Sequence, residues 1–452
     1  MNRITKISVI LAAMLMVTAC GIFGKYSPQT TVDENLYGHD AMTSSSMDQP
    51  SIGEMSWRDF FTDVNLKNLI DTALCRNTDL VNARMMVEEA NASLVSAKLG
   101  YLPSLSFSPS LNLTPGNSYS LPLNLQWGTD GFGSITTRKR AANALAIQAL
   151  DYEKTVQSQL IASVAQIYAQ LVLYDKQMEI LEMTRSLFEQ ALDTQKALME
   201  NGKAFSTAVN QMQASVIGLD IMKINITNMI HDTEAALCLI LHQTPQHVER
   251  SKWTDFSIPH EFGTGVPARI LANRPDVRAA ERALEAAFYV TAQSRAAMIP
   301  SISLTGLLGW SNGGTAITDP LSFIYNAAVS LVQPVFAQGK LRANLKINKL
   351  RQQEAAEQFA QTVLNAGNEV NVALADCQAS CQKEELYKKQ VASLKEAFYG
   401  TRELMNNGKA SYLEVLTAQE SYLEACLEEA ENSYEVAQSL INLYAALGGG
   451  AE

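Results

Sequence analysis

The sequence predicts a mainly α-helical fold with a transmembrane β-barrel portion, written as two internal repeats of helix, β-hairpin, long helix, tip and helix. Three observations predict it. Segments of the chain recur at a nearly fixed offset. Two pairs of stretches, each roughly ten residues long, alternate apolar with small polar residues, as strands with one lipid-facing side do. Two further stretches of about sixty residues carry helical periodicity with almost no helix breaker.

The N-terminus reads as an export signal over residues 1–19. Arg3 and Lys6 precede an apolar run from Ile7 to Met16, too short to stay in a bilayer as a helix. Val17-Thr18-Ala19-Cys20 then resembles a bacterial lipobox. That resemblance implies cleavage before Cys20 and acylation of its thiol and new amino group, with two or more acyl chains giving stable anchoring. Gly21 in place of Asp fits sorting to the outer membrane. Residues 20–62 are then a lipid-anchored N-terminal segment.

The first repeat is assigned to residues 63–243 and the second to 268–447. Ala97-Lys98-Leu99-Gly100-Tyr101-Leu102-Pro103-Ser104 corresponds to Ser294-Arg295-Ala296-Ala297-Met298-Ile299-Pro300-Ser301, at an offset of 197. Further on, Leu198-Met199-Glu200-Asn201-Gly202-Lys203-Ala204 corresponds to Leu404-Met405-Asn406-Asn407-Gly408-Lys409-Ala410, at an offset of 206. The extra nine residues of the second copy fall between Leu304 and Gly339, with Ser311 to Pro320 as the natural loop. Residues 244–267, with three prolines and no clear period, read as a connector, and 448–452 as a C-terminal tail.

Strands are expected at about 104–127 and 301–333. From Ser104 to Leu113 the apolar positions Leu105, Phe107 and Leu111 alternate with Ser106, Ser110 and Asn112. After a turn at Thr114–Asn117, Tyr119, Leu121, Leu123, Leu125 and Trp127 oppose Ser120, Asn124 and Gln126. Pro109 and Pro122 each lack a ladder donor and mark expected bulges or strand ends. The long helices follow. Ile135 to Glu200 has no Pro or Gly, and Leu160, Val164, Ile167, Leu171 and Tyr174 step as a heptad seam, with Ile161, Tyr168 and Val172 beside it. Asn344 to Met405 is nearly as long, with no Pro and with Gly367 and Gly400 as its glycines. Two hairpins supply four strands, which cannot close a barrel, and an open edge in lipid leaves backbone groups unsatisfied. At least two chains must therefore contribute.

Composition removes other classes. A formal charge of −11 argues against a nucleic-acid partner. No later segment is an apolar run of the 18 or more residues a membrane helix needs. Cys75, Cys238, Cys377, Cys381 and Cys426 form no disulfide framework, and Cys377 and Cys381 extend an apolar stripe with no histidine near, so no metal is expected. Ser380 and Lys383 match S-x-x-K without companion motifs, and no G-x-S-x-G, H-E-x-x-H or phosphate loop is present, so no enzyme is expected.

The chain resembles the TolC-like outer-membrane factor family, in its lipoprotein branch serving tripartite RND-type efflux pumps. The resemblance rests on Trp57, Phe60 and Asp63, on Arg274-Pro275-Asp276-Val277, on Pro334-Val335-Phe336 with Gly339, on Tyr412-Leu413-Glu414-Val415-Leu416, and on Leu443 to Gly449. It implies a homotrimer with a twelve-stranded barrel on an α-helical barrel, a periplasmic adaptor, an inner-membrane RND-type pump, outer-membrane lipid as surroundings, and no cofactor beyond the lipid on Cys20. It implies that the tips, Gly202-Lys203 and Gly408-Lys409, dock the adaptor, and that Glu414 rings the periplasmic mouth. The second acidic position of the family is Thr417 here, and Ala208 and Met405 stand where an acidic residue and its tyrosine clasp would be. The expected function is an exit duct for small molecules. A duct for protein secretion and a structural coiled-coil lipoprotein are the alternatives.

Overall fold

The structure is a computed structural model that describes residues 24–27, 52–112, 118–130, 132–253, 274–312 and 322–451. Cys20, the Thr114–Asn117 turn, most of the connector and the inserted loop after Asn312 lie outside the described residues. The described chain is mostly helical. A short 3-10 turn (Ile52–Glu54) leads into α1 (Trp57–Phe60), α2 (Val64–Arg76) and α3 (Thr78–Leu99). Three strand segments follow, β1 (Ser104–Phe107), β2 (Ser110–Asn112) and β3 (Ser118–Gly128), then α4 (Ser134–Glu200) and α5 (Ser206–Ile240). The second half has α6 (Pro275–Ala296), β4 (Ser301–Ser311), β5 (Ser322–Val332), α7 (Lys340–Asn406) and α8 (Tyr412–Ala446).

Three helices of one half are matched in length by three of the other. α3 and α6 have 22 residues each, α4 and α7 have 67 each, and α5 and α8 have 35 each. At about 1.5 Å per residue the 67-residue helices run roughly 100 Å. α7 begins at Lys340, a turn earlier than its periodicity suggests, and runs unbroken through Gly367, whose position is buried. Both long helices start from a glycine at positive φ, Gly133 (73°) and Gly339 (77°).

By contacts the chain divides into two compact units. One contains Arg84–Tyr152 and Asp276–Thr362 and so holds all the strands. They form an antiparallel meander in which β1 and β2 both pair with β3, β3 with β4, and β4 with β5. β1 and β2 are one strand position, interrupted at Ser108-Pro109, where proline cannot donate to the ladder. Pro122 departs from expectation. It lies inside β3, paired with Gly309, rather than at a strand end. The missing donor is tolerated because the gap between β1 and β2 faces it on one side, with only Ser108 N–H donating to Pro122 O at 3.3 Å. On the other side Gly309 lets the backbones close up: a Cβ there would sit 2.3 Å from Leu121 O.

The second unit holds Glu153–Pro275 and Val363–Glu452 with α1, α2 and the start of α3. One core of this unit is a seam between three helices: Leu173, Leu181 and Phe188 of α4, Met212 and Leu219 of α5, and Leu423 of α8. The N-terminal helices are pinned by a stacked Phe60–Tyr444 pair, 4.2 Å between ring centroids. Asp63 caps α2 by accepting from Asn65 N–H and Leu66 N–H, and also accepts from the buried Tyr168 hydroxyl at 2.8 Å. Burial, with the Asp63 carboxylate a lesser cause, pushes the Tyr168 phenol up to about 12. Arg274, buried, donates to Ala446 O at the end of α8 and pairs with Glu369 at 2.7 Å.

Candidate functional site

The sheet register assembles one continuous apolar face. Leu105 pairs with Leu125, Phe107 with Leu123, Leu123 with Leu308, Leu121 with Trp310, and Leu308 with Tyr325, so alternate residues of every strand share one side. The other side carries Ser106, Asn124, Gln126, Ser303, Thr305 and Asn326. Leu105, Phe107, Leu308, Trp310, Phe323 and Tyr325 are exposed. A row this apolar has no reason to face water. Aromatic rings sit at both ends. Trp310 packs edge-on against Phe323 at 5.6 Å near one end, and at the other Trp127 Nε1–H donates to Tyr101 O at 2.9 Å. Along β3, Tyr119 to Trp127 spans about 27 Å, close to the roughly 25 Å apolar band of outer-membrane strands. Within the chain, the outer sides of β1/β2 and of β5 have no strand partner among the described residues. No described helix is long and apolar enough to cross a membrane.

The tips of the long helices are built alike. Gly202 and Gly408 take φ of 71° and 70°. Gly202 N–H donates to Met199 O and Lys203 N–H to Leu198 O; Gly408 N–H donates to Met405 O and Lys409 N–H to Leu404 O. This crossed pair is a Schellman stop, which needs the left-handed conformation that glycine adopts freely. Gly202, Lys203, Gly408 and Lys409 are all exposed.

Beyond the turns the tips diverge. α8 opens with a capping box: Ser411 Oγ accepts from Glu414 N–H, and Glu414 Oε2 accepts from Ser411 N–H at 2.6 Å. The Glu414 carboxylate is thus exposed and held to the helix start. The S-x-x-E spacing is a sequence signal for this arrangement that the motif reading leaves unused. α5 opens on Phe205, with no side-chain cap and 84% exposure. Thr417 is exposed, and Ala208 and Met405 are half-buried. Cys377 and Cys381 are half-buried, and burial, then the neighbouring Cys381, pushes the Cys377 thiol up to about 11. Among the described residues no cluster of metal-ligating side chains occurs.

The family described as outer membrane efflux protein matches residues 69–241 and 266–449, most of the chain. The chain belongs to the outer membrane efflux protein family. Its relatives include the cation efflux system protein CusC of Escherichia coli strain K12, 30% identical over 87% of this chain and 88% of that protein. The probable outer membrane lipoprotein SilC of Salmonella typhimurium is 27% identical over 88% of this chain and 89% of that protein. A crystal structure of CusC superposes with a TM-score of 0.81 at 27% identity, covering 94% of this chain and 99% of that one. This efflux protein is accordingly an outer-membrane channel of an efflux system, and a transport duct rather than an enzyme.

Proposed function

We infer that this efflux protein is the exit duct of a tripartite pump, closing its barrel as a homotrimer and passing small molecules from periplasm to exterior. One observation carries the reading: four strand positions share a continuous apolar face and end in two edges without a strand partner in the chain. In lipid such edges must pair, and three chains would supply twelve strand positions. The exposed apolar side chains on α3, α5 and α7, including Met85, Ile221 and Leu364, support neighbouring copies along the helices as well. Cys20 would carry the lipid anchor. Gly202-Lys203 and Gly408-Lys409 would meet a periplasmic adaptor that links the duct to an RND-type inner-membrane pump. Three Glu414 carboxylates around the axis would make a cation-attracting mouth, while each also caps its own helix. With Ala208, Met405 and Thr417 at the remaining positions, Glu414 is the one acidic group of that constellation.

Conductance in planar bilayers tests the reading. Purified wild type should form a stable, cation-preferring pore, and Glu414→Ala should lose that preference. A pore indifferent to Glu414 discards the acidic mouth and keeps the duct. Folded, trimeric protein that never conducts overturns the duct.

A further inference from the structure

The four helix ends that adjoin the strands carry positive charge alone. α3 closes with Lys98, and α4 opens with Arg138, Lys139 and Arg140. α6 closes with Arg295, and α7 opens with Lys340, Arg342, Lys346, Lys349 and Arg351. No Asp or Glu occurs in residues 90–99, 134–150, 286–296 or 340–353, in a chain whose net charge is −11. In the adjoining turns the acidic residue is Asp130, and its carboxylate is engaged at the start of α4 by Ile135 N–H (2.6 Å) and Thr136 N–H (3.1 Å). All ten basic residues lie in the unit that holds the strands. Nine are exposed, and Arg140 lies over the Tyr289 ring at 5.8 Å. None of the ten takes part in an ion pair among the described residues.

This positive zone begins where the apolar face stops. Trp127 and Tyr101 mark that end of the sheet, and Lys139 Nζ sits 5.8 Å from the Tyr101 ring centre. At the same end, directly after β5, Val335 and Phe336 are 94% and 85% exposed. Apolar wedge, aromatic ring and then unpaired cations is the order of chemistries met on leaving a bilayer core through its headgroups. On α7, Arg342, Lys346 and Lys349 stand at i, i+4 and i+7, one face of the helix.

We propose that this collar binds the phosphate headgroups of anionic phospholipids in the leaflet at the helix end of the strands, fixing how deeply the strands sit. The proposal rests on the reading of the strands as membrane-spanning. Full-length protein in neutral detergent, wild type and the triple variant Arg342→Gln/Lys346→Gln/Lys349→Gln, would be titrated with phosphatidylglycerol or phosphatidylcholine. Retained lipid is counted by native mass spectrometry, and thermal midpoints are recorded alongside. Wild type should retain phosphatidylglycerol in preference, and added salt should weaken that preference. At about fivefold per charge near a membrane surface, the triple variant should bind it on the order of a hundredfold more weakly. Lys196→Gln/Lys389→Gln/Lys395→Gln, with equal loss of charge elsewhere, should keep it. Equal retention of both lipids by wild type, or equal loss in both triple variants, overturns the collar. So does a preference for lipid A over phosphatidylglycerol, which would move the contact to the opposite leaflet. Wild-type conductance in phosphatidylcholine separates the failures: a pore without lipid preference sinks the collar alone, whereas no pore sinks the membrane-spanning reading with it.

Discussion

Arg250 leaves the segment after α5 with its side chain 7% exposed and forks between Asp175, on α4, and Glu234, on α5. Burial pushes the Glu234 carboxyl up, but the Arg250 guanidinium and Val248 N–H outweigh it and hold the group below its ordinary value. Stability from this pair is therefore present above the unfolded carboxylate pKa, about 4.3. It is lost as pH falls through the depressed folded value. Arg250→Ala would strand a buried carboxylate and should cost about 3–5 kcal/mol, read as a lower unfolding midpoint in detergent. The same substitution should flatten the acid limb of stability against pH. Phe205 makes the opposite case. Ser at its equivalent in the second tip caps α8, so Phe205→Ser should raise stability by about 1 kcal/mol. Gly408→Ala should lower it by about 1–2 kcal/mol through the left-handed backbone. Arg250's partners are not legible in sequence, because they depend on which segments meet, whereas the bare cap at Phe205 is a local feature that the 206-residue offset sets opposite Ser411. His242 is a further surprise: it takes a φ of 53° at the end of α5, where the matching position after α8 is Gly448.

At the scale of elements, the helices were readable because their signal is long. More than sixty residues without proline, and a seam such as Leu160, Val164 and Leu171, leave little else for the chain to do. The strands were readable as alternation, yet their order was not. Nothing local says that β3 pairs with β4 or that Pro122 lies mid-strand. That outcome depends on Gly309, whose missing side chain is matched to a backbone reached only after folding. Gly309→Val should therefore separate β3 from β4, with loss of heat-resistant folded protein from outer-membrane fractions, whereas Gly128→Val, with open space at its Cβ, should be tolerated.

For the whole molecule, the candidate site is distributed: an apolar face, two turns and one capped carboxylate. Sequence matching finds the glycines and Glu414, since each stands in a recurrent motif. The Ser411-x-x-Glu414 spacing also signals that Glu414 spends a carboxylate oxygen on Ser411 N–H, but motif and cap use the same letters, so one role hides the other. If the chain closes as three copies, cysteines introduced along the outer sides of β1 and β5 should cross-link into trimers on oxidation. Monomer-only products would count against closure.

The equal helix lengths impose a rule on how such a chain can change. α4 and α7 each return through a 35-residue partner, so the turns at Gly202 and Gly408 are counted off by the same number of residues. Deleting one heptad from α4 alone would put its tip about 10 Å out of step with the other. Insertions and deletions in these helices should therefore be inherited in matched sets, four segments at a time, while the inserted loop after Asn312 is free to vary alone. The chain can drift in spelling far more easily than in length.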